Sequence, residues 1–228
     1  MKKKRIMVFA SGSATGGGSG FRNLVVQGRE RDLPYEVSAV VTHHLHGGVA
    51  THAHALGIQV IVVPPNLEPD QYLSLCALHV ADLAVLSGWL KPVSGLPAEK
   101  VINIHPGLLP GFGGKGMHGH HVHEKTIGAF KKGEIDRSAV SMHFVPSYER
   151  HSNGTDNYDT GPLFASVPVP ILADDDASTL GSRVNAKEHE VQPSLTVLVA
   201  EGRIKLNQDG TVWMEDRSWY EGENLPYN

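Results

Sequence analysis

The chain has 228 residues, 20 Lys plus Arg against 24 Asp plus Glu, and 40% hydrophobic residues. That is too apolar for a disordered chain and long enough to bury a full core. A net charge of −4 leaves too few cations for a general nucleic-acid binder, so any anionic ligand must be caught locally.

One cysteine, Cys76, rules out an internal disulfide, and no apolar run approaches the ~20 residues of a membrane span. The basic start Met1-Lys2-Lys3-Lys4-Arg5 precedes an apolar run over residues 6–10, shorter than the roughly 7–15 residues of a secretory signal core. These features set the expectation of a cytoplasmic protein with no membrane partner, and of residues 6–10 as a buried first strand.

Phe21, Leu24 and Val25 recur at helical spacing, which predicts a helix over residues 21–27. Residues 37–41 read as a second strand. Residues 49–56 read as a helix stopped by Gly57, and residues 58–63 as a third strand. Tyr72, Leu75, Cys76 and His79 form a stripe in a helix over residues 69–80. Residues 83–86 and 101–104 complete the first five strands. Strands separated by helix-length segments imply a parallel sheet with crossover helices.

The second half begins with a Gly-rich loop over residues 107–119 and a helix over residues 123–132. Residues 139–145 alternate like a strand with one solvated face, and residues 163–169 look like its hairpin partner. Residues 178–201 predict one long helix, which Pro193 kinks or divides. A last hairpin, residues 204–206 with 212–214, turns at Asp209-Gly210. The expected fold is α/β: an open Rossmann-like sheet, parallel in its N-terminal half and mixed or antiparallel at its C-terminal edge. Residues 1–228 are expected to form one domain.

In open parallel sheets ligands bind beyond the carboxyl ends of the strands, so the residues just after each strand carry the information. After the first strand, residues 11–20 form a Ser/Gly loop feeding a helix N-terminus, which is either an anion cradle or a plain connection. It matches neither the dinucleotide fingerprint nor a P-loop. On the fifth strand Asn103 and His105 project to one side and Ile102 and Ile104 to the other. An amide beside an imidazole can hold an oxyanion and handle a proton, or be a satisfied core pair. Asp159, before Gly161-Pro162, is either turn chemistry or a buried carboxylate that raises the pKa of an imidazolium.

Together these residues resemble the formyltransferase family that uses 10-formyltetrahydrofolate. The resemblance rests on Asn103-Ile104-His105-Pro106-Gly107-Leu108-Leu109-Pro110 and Asp159-Thr160-Gly161-Pro162. Supporting it are Ser87-Gly88-Trp89-Leu90-Lys91, Glu188-His189-Glu190-Val191-Gln192-Pro193, and the variant loop Gly113-Gly114-Lys115-Gly116-Met117-His118-Gly119. It spans nearly the whole chain. The chain length and the Glu188 segment favour the branch that formylates a glycinamide ribotide in purine biosynthesis.

What the resemblance implies is direct attack of the acceptor amine on the formyl carbon, through a tetrahedral intermediate and without a metal. Asn103 would donate to the oxyanion, protonated His105 would stabilise the same charge and relay protons, and Asp159 would keep His105 charged. The acceptor phosphate would sit on Gly18, Ser19 and Gly20, with Asn23 opening the helix, and Glu188 would hold the acceptor ammonium. Trp89, Leu90, Lys91 and Val93 would bind the folate, although Trp89 and Leu90 read equally as core. Both partners would be small molecules, bound by a monomer or a homodimer.

Three departures stand out. The first loop is longer than the compact family form, residues 146–158 form an insertion, and residues 66–71 lack the arginine expected on the acceptor phosphate. Lys115 is the candidate replacement cation. Fourteen histidines include two clusters, His43-His44-x-His46 with His52-x-His54, and His118-x-His120-His121-x-His123. Loop histidines are mostly solvated polar groups, and no metal site is expected. Two competing functions remain: formylation of another amine such as an amino sugar nucleotide, and a non-catalytic folate- or ribotide-binding module.

Overall fold

A computed structural model describes residues 2–149 and 156–227. β1 (Lys4–Phe9) passes through the Ser/Gly loop into α1 (Ser19–Glu30). β2 (Tyr35–Thr42), α2 (Gly48–Leu56), β3 (Val60–Val62), α3 (Pro69–Leu78), β4 (Leu83–Leu86) and β5 (Val101–His105) follow. Then come α4 (His120–Lys131), β6 (Arg137–Phe144), β7 (Leu163–Pro170) and α5 (Ala177–Ala200). A separate hairpin pairs β8 (Ile204–Leu206) with β9 (Val212–Met214). α2 ends because Gly57 takes a left-handed φ of 65° that costs a glycine little. α5 starts where Asp176 Oδ1 accepts from the N–H groups of Ser178 and Thr179, each at 2.8 Å.

The main sheet has seven strands in the order β3-β2-β1-β4-β5-β6-β7. β3, β2, β1, β4 and β5 are parallel, while β6 runs antiparallel to β5 and β7 to β6. This is the expected parallel half with an antiparallel edge. The chain winds outward from β1 in both directions, so a crevice opens beyond the carboxyl ends of β1 and β4. Side-chain alternation splits the core in two. Ile6, Val8, Ile102 and Ile104 pack with Phe21 and Leu24 of α1 and Leu195 of α5, whereas Met7, Phe9, Ala84 and Leu86 pack with Tyr72 and Trp89.

Two expectations change. β6 has no solvated face: every residue from Ser138 to Phe144 is buried. Its polar side lies under the loop after β5, where the Ser141 hydroxyl donates to Gly107 O at 2.7 Å. Pro193 does not divide α5, which runs unbroken through it. Proline has no N–H to give the carbonyl four residues earlier, that of His189. Asn23 Nδ2 of α1 supplies the missing donor at 2.8 Å. Of the insertion at 146–158, residues 150–155 lie outside the described residues; its flanks are tied together by Asn157 Nδ2 donating to Ser147 O at 2.9 Å.

Candidate active site

Asn103 and His105 sit at the carboxyl end of β5, on the same side of the strand, because side chains two apart share a face. Asp159 arrives from the turn before β7, in a left-handed conformation (φ 55°) that aspartate tolerates better than most residues. The structure brings all three together. Asn103 Nδ2 lies 3.3 Å from Asp159 Oδ1, and His105 Nδ1 lies 3.6 Å from Asp159 Oδ2. The second distance is an ion-pair separation, too long for a hydrogen bond.

His105 is only 3% exposed. Its Nε2 is 2.8 Å from Phe112 O, which can only accept, so the proton of the neutral ring belongs on Nε2 and Nδ1 faces Asp159. Burial pushes the His105 pKa down, and the opposing pull of Asp159 and Phe112 O does not cancel it. Burial therefore works against the imidazolium that the resemblance implies, and the Asp159 carboxylate offsets it only in part. For Asp159, burial alone would raise the pKa. Positive charge on either imidazole beside it, His143 at 3.5 Å from Oδ1 and His105 at 3.6 Å from Oδ2, together with the Gly114 N–H donating to Oδ2 at 3.0 Å, pulls it below the usual carboxylate range.

The sequence reading missed His143. It lies on β6 directly across from Asn103 in the strand register. Phe144 O takes the His143 Nδ1 proton at 2.9 Å, which leaves Nε2 to accept from Asn103 Nδ2 at 3.1 Å. Both hydrogens of the Asn103 amide are thus held, one by Asp159 and one by His143. The detectable signal was the alternation of Ser141 and His143 within the strand predicted over residues 139–145.

These residues stand between two hollows. The larger, about 460 Å³, is walled by Gly18, Ser19 and Gly20, by Trp89 and Leu90, and by Glu188 among others. The smaller, about 50 Å³, is bounded by Trp89, Lys91, Val93, Tyr148 and Tyr158. Asn103 and Asp159 line both. Gly18 takes φ 87° at the N-cap of α1 with no side-chain cap, so first-turn N–H groups are left to face a ligand. Asn23 does not line either hollow, because its amide is committed to the carbonyl that Pro193 leaves free.

Trp89 is both core and wall: buried against Phe9, it donates from Nε1 to Tyr72 Oη at 3.2 Å. Leu90 is exposed, and its N–H donates to Ser11 Oγ at 2.9 Å. Glu188 faces the larger hollow, partly exposed, with Asn185 Nδ2 at 3.3 Å as its hydrogen-bond donor. Burial pushes its pKa up to about 7, against the pull of the Asn185 hydrogen bond. Lys115 lies exposed on the rim. Among the described residues, no group of three or more His, Cys, Asp or Glu side chains is placed to hold a metal ion.

A mostly parallel sheet with a buried amide–imidazole–carboxylate set at its mouth, between two hollows, describes an α/β protein with one polar centre open to both. The formyl transferase family model matches residues 4–196, and the chain belongs to that family. The chain is 34% identical over 227 residues to phosphoribosylglycinamide formyltransferase, chloroplastic, of Vigna unguiculata, covering 95% of this chain and 67% of that one. It is 30% identical over 227 residues to the protein of the same name from Arabidopsis thaliana, covering 95% and 72%. Among solved structures, phosphoribosylglycinamide formyltransferase from Anaplasma phagocytophilum superposes with a TM-score of 0.73 at 28% identity, over 98% of both chains.

Proposed function

We propose that the chain transfers the formyl group of 10-formyltetrahydrofolate to the amine of 5-phosphoribosylglycinamide, a step of purine biosynthesis. The observation that carries this reading is that Asn103 and Asp159 line both hollows. The larger, with its open helix N-terminus and Glu188, suits a phosphorylated amine. The smaller, lined by aromatic and aliphatic side chains, suits the flat pterin of the donor once Tyr148 and Tyr158 give way, since about 50 Å³ is less than a ring system needs. The donor supplies an activated formyl carbon; the chain holds the two reactants in register.

Asn103 donates from Nδ2 to the oxygen that gains charge as the amine adds. It does so by yielding one of its two resting bonds, and His143 and Asp159 keep the amide aimed meanwhile. His105 takes at Nδ1 the proton that the attacking amine loses, with Asp159 Oδ2 balancing the charge, and the proton passes on to the folate nitrogen as its bond to the formyl carbon breaks. The carboxylate of Glu188 orients the acceptor amine from the opposite wall, and Gly18, Ser19 and Gly20 hold the phosphate with their N–H groups. Trp89, Leu90, Lys91 and Val93 hold the donor. All 228 residues act as one catalytic domain. The proposed working form is a monomer or a homodimer. Among the described residues no helix is long and apolar enough to cross a membrane. We place the reaction in the cytoplasm, in keeping with a lone cysteine.

The test is the absorbance change on loss of the formyl donor, with the ribotide, with an amino sugar nucleotide, or with neither. Turnover with the ribotide alone supports the reading. Turnover with the amino sugar favours the alternative acceptor, and binding of both ligands without turnover favours a binding module.

Two predictions arise here. Glu188 ionises near pH 7, so the acceptor KM falls as pH rises through about 7, and Glu188→Gln flattens that dependence. A limb that persists in the variant assigns it to another group. Lys115→Ala raises the acceptor KM about five-fold, the ~1 kcal/mol of an exposed charge pair, with less effect at high salt. An unchanged KM removes Lys115 from the phosphate site.

A further inference from the structure

Gln192 is a buried amide that nothing in the fold uses. It is 1% exposed, and among the described residues neither Nε2 nor Oε1 has a hydrogen-bond partner. Buried polar groups are nearly always paired, so both ends of one carboxamide left without partners call for a physical reason. Its position supplies one. Gln192 lies one turn beyond Glu188 on α5, so the two side chains share a helix face, and both wall the larger hollow. The other end of its environment is the first turn of α1. A Cβ placed on Gly20 would strike the Ser87 hydroxyl and come 3.5 Å from Gln192 Oε1. His189, also on the wall, has an Nε2 that is likewise buried without a partner. The α5 wall therefore carries unspent hydrogen-bonding capacity on the side facing the open N–H groups of Gly18, Ser19 and Gly20.

A carboxamide offers two N–H donors and a carbonyl acceptor. A phosphorylated sugar offers the complement, phosphate oxygens that accept and hydroxyls that donate. The pterin is assigned to the smaller hollow, which Gln192 does not wall. We infer that Gln192 is an acceptor-binding residue, its carboxamide both donating to and accepting from the phosphate and hydroxyls of a phosphosugar seated between α1 and α5. This rests on the proposed function and extends it to a residue outside the Asn103, His105 and Asp159 set.

The inference predicts opposite effects on the empty and the loaded protein. Gln192→Met keeps the shape of the side chain and removes both polar ends. The ligand-free variant should melt at or above the wild-type Tm, because an unpaired buried amide has been replaced by an apolar group. Its acceptor KM should rise about ten-fold with kcat and the donor KM within about two-fold, and ribose 5-phosphate should compete correspondingly less well. Gln192→Glu, which places a second carboxylate opposite the phosphate, should raise the acceptor KM further. A lowered Tm together with a wild-type acceptor KM would mean a purely structural amide and overturn the inference. Equal weakening of donor and acceptor would also overturn it. Wild-type protein that does not formylate the ribotide overturns the proposed function and this inference with it. Wild-type turnover with unchanged KM values in both variants overturns the inference alone.

Discussion

Asn103→Ala lowers kcat by about 10²–10³, the loss seen when one oxyanion donor is removed, and leaves both KM values near wild type. The split follows from the geometry. In the ligand-free protein the Asn103 amide is held by Asp159 Oδ1 at 3.3 Å and His143 Nε2 at 3.1 Å, so it is aimed before substrate arrives. A preorganised donor acts on charge that develops during reaction and contributes little to ground-state binding. Alanine also frees the two acceptors, which remain tied by Gly114 N and by the backbone of Phe144, so the fold around them persists. Steady-state kinetics with each substrate varied in turn checks the result. A rise in KM with kcat retained would make Asn103 a binding group.

Asp159→Asn is the second large effect, a loss of about 10²–10⁴ in kcat, comparable with removal of a general acid–base group. The same variant moves the pH profile in a direction fixed by the electrostatics. His105 has its pKa depressed, so it is neutral above that value and becomes charged only as pH falls through it. Asp159 is the strongest of the influences holding that pKa up against burial. Removing its charge depresses the pKa further, so the acid limb of kcat/KM for the donor, measured at saturating acceptor, moves to lower pH. A limb that moves to higher pH, or stays where it is, removes Asp159 from its assigned role. His105→Ala should abolish that limb outright.

The parallel half of the sheet was legible because its strands are short apolar runs between helix-length segments, and β4 (Leu83–Leu86) emerges with the predicted bounds. The shared face of Asn103 and His105 followed from strand alternation alone. The meeting of Asp159 with His105 did not, because it depends on how β6 and β7 fold back along β5. The reading of β6 failed because alternation shows which residues share a face and says nothing about what covers it. Ser141 and His143 look like a solvated edge and instead lie under the loop after β5. Asn23 looked like an anion-binding helix residue, yet Pro193, far away in the chain, leaves a carbonyl in α5 that claims its amide. Gln192 was legible only as part of a matching segment; its missing partners show only once α1 and α5 are packed together. The balance between burial and Asp159 at His105 likewise depends on depth, which spacing does not encode.

The central claim is that one polar centre passes a formyl group directly between two small molecules held in one chain. The most direct measurement is a single-turnover reaction with donor labelled with carbon-13 in the formyl group, followed by NMR. The account predicts that the label appears on the ribotide nitrogen in one-to-one yield with donor consumed, with no free formate, and that Asn103→Ala slows its arrival without rerouting it. Label released as formate whether or not the ribotide is present would contradict it.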